Sequence, residues 1–178
     1  MFLTKVCGFL TATFLTAATM IVAASAQQPA GNPHPPNVHQ LQQPDQTVTY
    51  TSAADLQALI ERAKKESTDA TPMVVGKILR LAPYTVNLEY RPAGESVHYS
   101  AGIHPKEAEL FYVLDGSGTL VTGGKLTADN MGIDGGQSQK VSKGDFIFIP
   151  EGTPHGFSHV DQTLVLMSVH MPRPVPAQ

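Results

Sequence analysis

The chain has 178 residues, 15 acidic against 12 basic, a formal net charge of −3 and one cysteine. That length suits one domain with a real core, and the mild acidity without any Lys/Arg cluster excludes nucleic acid and an anionic membrane surface as partners. Cys7 lies in the apolar N-terminal run, so the folded part has neither a disulfide framework nor a thiolate metal site, and any metal must be held by histidines and carboxylates.

In chain order, residues 1–26 combine Lys5, an apolar stretch from Val6 to about Ala23, and Ala24-Ser25-Ala26. This is the pattern of a secretory signal peptide. The interspersed threonines and the A-x-A site argue against an uncleaved membrane span. The expectation is a mature chain starting near Gln27, in the periplasm or outside the cell, with no stable membrane anchor after cleavage. Residues 27–46 are rich in proline and amides and read as a linker or arm, with His34 and His39 solvated in it.

The domain proper is expected over 47–178. After a short strand candidate, TVTYT at 47–51, Ser52 with Asp55 three residues later makes a capping-box pattern. Leu56, Leu59, Ile60 and Ala63 fall at helical spacing, which predicts one amphipathic helix over about 53–66. Beyond it come only strand-length runs broken by turns: MVVGKILRL, YTVNLEYR, SVHYS, ELFYVL, GTLVTG, SQKVS, DFIFIP, HGFSHV and TLVLMSV. Their spacing and the Gly-rich turns predict an all-β antiparallel sandwich or barrel.

Two stretches deliver chemistry to strand ends. In GDFIFIPEGTPH an apolar strand runs into a turn that presents His155; in the stretch from His98 to Gly118, His104 ends one strand and Glu109 opens the next. Period-two alternation puts Glu109, Phe111 and Val113 on one face. Two imidazoles and one carboxylate on one face of a barrel would form a facial triad with open positions, suited to non-haem Fe(II) and compatible with Mn, Ni, Cu or Zn.

The spacings His104-x4-Glu109-x6-Gly116 and Gly144-x5-Pro150-x-Gly152-x2-His155 resemble the two motifs of the cupin superfamily. The resemblance implies a cupin-type antiparallel jelly-roll β-barrel, here with one N-terminal amphipathic helix, and one divalent transition metal ion per chain in the barrel mouth. It makes His104, Glu109 and His155 the ligands. The sequence departs from the pattern in three places. Gly102 stands where the family usually has the first histidine of His-x-His, Gly94 lies further from that position than the pattern's leading glycine, and His159 replaces the usual Asn. Three protein ligands are therefore expected instead of four, and a metal-free pocket is the alternative.

His98 shares parity with His104 but lies about 20 Å away along an extended strand, and His159 about 13 Å from His155. Both are candidates for the pocket wall, with Phe111 and Phe157; Tyr90, Tyr99 and Phe148 are weaker candidates. His170 is read as structural. Glu107 competes with Glu109 for the carboxylate role, and the spacing to Gly116 selects Glu109. The long polar loop at 123–137 is assigned no role. The leading functional expectation is a secreted mononuclear-metal cupin acting as an O2-dependent oxidoreductase on a small organic or carbohydrate substrate. A non-catalytic ligand-binding or sensing cupin and a metal-dependent isomerase or lyase are the alternatives. The expected partners are that small-molecule or carbohydrate ligand and, as an open alternative to a monomer, a second copy of the chain.

Overall fold

The computed structural model of the chain describes residues 38–43, 47–95 and 101–173. In order these form β1 (Val38–Gln40), α1 (Ala53–Glu66), β2 (Met73–Leu81), β3 (Tyr84–Arg91), β4 (Gly94–Glu95), β5 (Glu107–Thr122), β6 (Lys125–Leu126), β7 (Ile133–Asp134), β8 (Gln137–Ser142), β9 (Phe146–Ile149) and β10 (His155–Pro172). The main sheet runs β1-β2-β3-β10-β5-β8, with β9 on β5 and β4 on β10, and is antiparallel except for β1 on β2. The expected mostly-β fold with one helix is the fold observed.

The helix occupies the predicted residues. Ser52 caps it by accepting a hydrogen bond from the Asp55 N–H, and Lys64 and Lys65 in the last turn complement its dipole. Its apolar stripe of Leu56, Leu59 and Ile60, with the buried Ala63, packs on Val74, Leu88, Tyr90 and Val165. Gly76 permits this approach, since a Cβ there would lie 2.9 Å from a Leu41 methyl and 3.0 Å from one of Leu59. β3 is consequently covered on both faces, by the helix and by the barrel interior, and its last five residues are all buried.

Part of the expected arm belongs to the sheet. β1 pairs with β2, Leu41 is buried, the Gln43 side chain bonds both the N–H and the C=O of Lys77, and Val48 bridges Arg80. Residues 38–43 and Val48 thus cover the edge of β2, which would otherwise offer a row of unpaired backbone groups. Of the TVTYT strand only the Val48 bridge forms.

The architecture turns on β5 and β10, each longer than the sequence suggests. ELFYVL and GTLVTG merge into β5; HGFSHV and TLVLMSV merge into β10. The two pair along their whole length, with register shifts in β10 between Phe157 and Leu166. At the bend Gly116 has φ 81°, and a Cβ there would sit 2.0 Å from the Thr163 carbonyl oxygen, so only glycine fits. A straight strand would separate Glu109 from Thr122, the ladder partner of His155, by roughly 40 Å. The bent ribbon instead brings its two ends together: His155 Nε2 lies 3.0 Å from Glu109 Oε2. This doubling over is the jelly roll. Its interior holds Phe111, Val113, Leu120, Ile149, Phe157 and Leu166, among others.

Candidate metal centre

The turn after FIFI is stitched to a neighbouring strand end. Gly102 and His155 exchange both backbone hydrogen bonds, at 2.8 and 2.9 Å, and the Gly152 N–H donates to the His104 carbonyl at 2.8 Å. The turn after β9 is thereby pinned to the segment before β5, and His104 and His155 face one another with ring centroids 5.3 Å apart. Thr153 C=O lies 2.9 Å from His155 Nδ1. A carbonyl can only accept, so Nδ1 carries the hydrogen and Nε2 is the atom turned to Glu109.

Glu109 is almost fully buried on β5, opposite His170 on β10 and Ile149 on β9. His170 Nε2 is 3.2 Å from Glu109 Oε1, and His104 Nε2 is 3.5 Å from Oε2. His104 and His170 meet edge to face at 4.9 Å. His104, Glu109 and His170 each offer a ligand atom, and these atoms all lie within 4.8 Å of one another. Three imidazoles therefore surround one carboxylate, and His155 joins the group through Glu109.

Burial by itself raises the Glu109 carboxyl, but the neighbouring His104 and His155, with His170 beyond, more than reverse this and hold it well below the ordinary carboxylate range. Reciprocally, the Glu109 carboxylate raises the His104 imidazole above its ordinary value, against the lowering that burial brings. One atom is left over. Glu109 Oε2 is buried without a well-aimed hydrogen bond, although two imidazole nitrogens lie within 3.5 Å. An orphaned carboxylate oxygen facing imidazole nitrogens at these separations fits a cation between them, and nitrogen with carboxylate oxygen suits a first-row divalent ion.

The sequence-predicted residues fall into three groups. His104, Glu109 and His155 come together. Phe111 lies 6.0 Å from the His155 ring and 6.1 Å from Phe157, and the Arg91 guanidinium, itself paired with buried Glu89 at 2.6 Å, covers Phe157 at 4.9 Å. His159 is partly exposed and lies 3.4 Å from Asp161, outside the cluster. Tyr90 packs on the helix side, Phe148 is exposed, and His98 and Tyr99 lie outside the described residues.

Sequence reasoning missed His170, which it read as structural. Glu107, weighed against Glu109 as ligand, instead lies 3.2 Å from His170 Nδ1 and holds that ring from behind, the arrangement by which an outer carboxylate orients a metal-binding histidine. Gly102 completes the picture, because a Cβ there would lie 4.0 Å from His155 Nε2. The position of the absent histidine borders the cluster, while His170 enters from the neighbouring strand. Of the 123–137 loop, Met131, Gly132 and Ile133 line a cleft of about 200 Å³ together with Ala101, Val121, Gly156 and Ser158; His104, Glu109, His155 and His170 do not line it, so the loop is not part of this cluster.

One residue row inward from Glu109 the wall is polar. Lys77 Nζ donates to Asn87 Oδ1 at 2.9 Å, and the Asn87 amide to Ser168 Oγ at 3.4 Å. Burial lowers the Lys77 ammonium below its ordinary value, and the Arg80 charge adds to this.

Residues 88–170 match the family model of the cupin domain. The fold is a cupin fold. Among solved structures the chain is similar to TT1209 from Thermus thermophilus, at 18% identity over 66% of this chain and 95% of that one with TM-score 0.47. It is also similar to a predicted oxalate decarboxylase from Thermotoga maritima, at 19% identity over 49% and 65% with TM-score 0.38. A third is the Fe(II) form of HppE, at 17% identity over 55% and 50% with TM-score 0.46. Likeness at this level carries no activity across. No curated protein matches the chain.

Proposed function

We propose that the chain is an exported mononuclear-metal cupin, in which His104, Glu109, His155 and His170 hold one divalent transition ion (Fe, Mn, Cu, Ni or Zn), and that it oxidises a small organic or carbohydrate substrate with O2. The observation that carries the metal is the orphaned, buried Oε2 of Glu109 among imidazole nitrogens. Export rests on the signal-like residues 1–26.

When bound, such an ion supplies Lewis acidity and, if redox-active, electrons to O2. The chain's own residues do the rest. The Thr153 carbonyl fixes the His155 tautomer and Glu107 the His170 ring, so two nitrogen donors are held in place before any ion arrives. Phe111 and Phe157 close one side of the cluster against water. Lys77, Asn87 and Ser168 present polar groups on the same inner wall, which favours a hydroxylated or anionic substrate over an apolar one. Gly102 contributes no side chain and leaves room beside His155 Nε2.

The test begins with metal analysis of wild type and of His104→Ala, Glu109→Ala, His155→Ala and His170→Ala. Wild type should hold about one ion per chain and each variant should lose it to chelator; equal metal content in all five proteins would sink the site. Protein loaded separately with Fe(II), Mn(II) or Cu(II) is then screened on sugars, polysaccharides and phenolics, in air and without oxygen, with Glu109→Ala at equal total metal as control. Product that requires both O2 and Glu109 supports the oxidoreductase. Turnover indifferent to O2 would assign an isomerase or lyase, and binding without turnover a sensor.

A further inference from the structure

The outer face of the sheet is apolar beyond the reach of α1. The helix covers its β2–β3 side, whereas Phe146 and Phe148 on β9 are 69% and 59% exposed, with Tyr112 and Leu110 of β5 directly beside them in register. The Tyr112 and Phe146 rings stack 4.4 Å apart. Among the described residues β9 pairs only with β5. Which backbone groups face its other edge follows from the ladder. Val113 N–H donates to the Asp145 carbonyl and Gly144 N–H to the Val113 carbonyl, so Val113, Phe111 and Glu109 direct their backbone groups at β9. By antiparallel alternation their partners Ile147 and Ile149 bond β5, and the N–H and C=O of Phe146 and Phe148 point away from it.

We propose that this edge and face dock a second copy of the same chain, β9 against β9 in antiparallel register about a twofold axis through Ile147. An antiparallel strand pair is its own twofold mate, and this register sets Phe146 of one copy opposite Phe148 of the other. Both residues carry the outward-pointing backbone groups, so four hydrogen bonds form, and the exposed rings meet on one face. The charges agree: in an antiparallel contact the turn before β9, which carries Lys143, comes to the same end as the partner copy's turn after β9, which carries Glu151. Within one chain Lys143 pairs with Asp115 and Glu151 with Arg173, so each end of the contact would bring charges of both signs together. Aromatic side chains bury about 150–250 Å² each, so the exposed parts of Phe146 and Phe148 bring roughly 200–300 Å² of the ~800 Å² per partner of a stable interface. Leu110, Tyr112 and the flanking ion pairs contribute further area. The sheet would continue across both copies, and the proposal is independent of the metal.

The test is the mass of the folded protein in solution, by sedimentation or light scattering, from about 1 to 100 μM. Wild type should run at twice the mass of one chain. Phe148→Glu, which sets a carboxylate in the contact twice per dimer, should weaken association by two orders of magnitude or more while leaving circular dichroism and metal content unchanged. Lys143→Glu should weaken it, and Lys143→Glu with Glu151→Lys should restore it; that rescue is specific to an antiparallel β9–β9 contact. A monomeric wild type, or a dimer indifferent to both Phe148→Glu and Phe146→Glu, would overturn the proposal. So would a monomer that sediments with phosphatidylcholine–phosphatidylglycerol vesicles and loses this with Phe148→Glu, which would assign the face to a membrane.

Discussion

On its inner face the sheet of β3, β10, β5 and β9 carries Thr85, His170, Glu109, Ile149 in one cross-strand row and Asn87, Ser168, Phe111, Ile147 in the next; on its outer face the intervening rows read Val86, Val169, Leu110, Phe148 and Leu88, Met167, Tyr112, Phe146. On β3 and β10 at this end of the barrel the polar groups are inside and the apolar ones outside, the reverse of a sheet packed on a single core. Each face has its own physical reason. Buried polar groups persist only when they satisfy one another or a ligand, and here they converge on Glu109. The outer apolar rows are covered by α1 at β3 and left bare at β9. The difference teaches that inner-face residues answer to the site and outer-face residues to packing, and substitutions can separate the two.

The largest separable effect is on the outer face. Leu88 is fully buried between β3 and α1, and Leu88→Ala removes its methyl groups and leaves a cavity. Denaturant unfolding should show a loss of about 2–5 kcal/mol, with metal stoichiometry unchanged in the folded variant. A Leu88→Ala protein that keeps its stability but loses metal would break the division between the faces.

On the inner face the sharper probe is Glu107→Gln, because Glu107 touches His170 Nδ1 and not the group of ligand atoms. Loss of such an outer carboxylate weakens metal binding by about 10–100-fold. As Glu107 is itself partly exposed, unfolding of the metal-free variant should change little. Competition with a chelator reads the first effect and thermal melting the second. Unaltered metal affinity would show that His170 stands beside the site without serving it.

These contrasts also show what the sequence made legible. The helix over 53–66 and the bounds of β2 and β3 were readable because caps, turns and periodicity are local. The meeting of His104 and Glu109 was readable because a few residues of turn join them. His170 was not, since its contact with Glu109 depends on register between two distant strands, and Asp161-Gln162 looks like a turn where β10 in fact runs on through irregular pairing. A parity signal did exist: Leu164, Leu166, Ser168 and His170 share a face, as do Val113, Phe111 and Glu109, and both series turn from apolar to polar toward the same end of the barrel. The helix-side place of Tyr90 escaped notice because β3 is buried on both faces, so alternation alone does not say which face is the interior.

The smallest effect, about tenfold in affinity per pH unit, concerns the coupling of proton and metal at His104. In the metal-free protein Glu109 raises the His104 imidazole above its ordinary value. A raised folded value means that protonated His104 stabilises the metal-free fold: the contribution is complete below the unfolded value near ~6.5 and is lost as pH rises through the folded value. A metal ion needs the same nitrogen unprotonated, so acidification through this window should stabilise the metal-free protein while weakening its hold on metal. Glu109 stays ionised in folded and unfolded chains above about pH 5.5, which separates its own linkage from that of His104. Thermal melts of metal-free protein from pH 6 to 8 should therefore rise toward acid as chelator competition shows metal affinity falling, and His104→Gln should flatten the first trend. Melting temperature and affinity that move together with pH would mean that the proton and the metal do not compete for His104, and the inner face would then need a different centre.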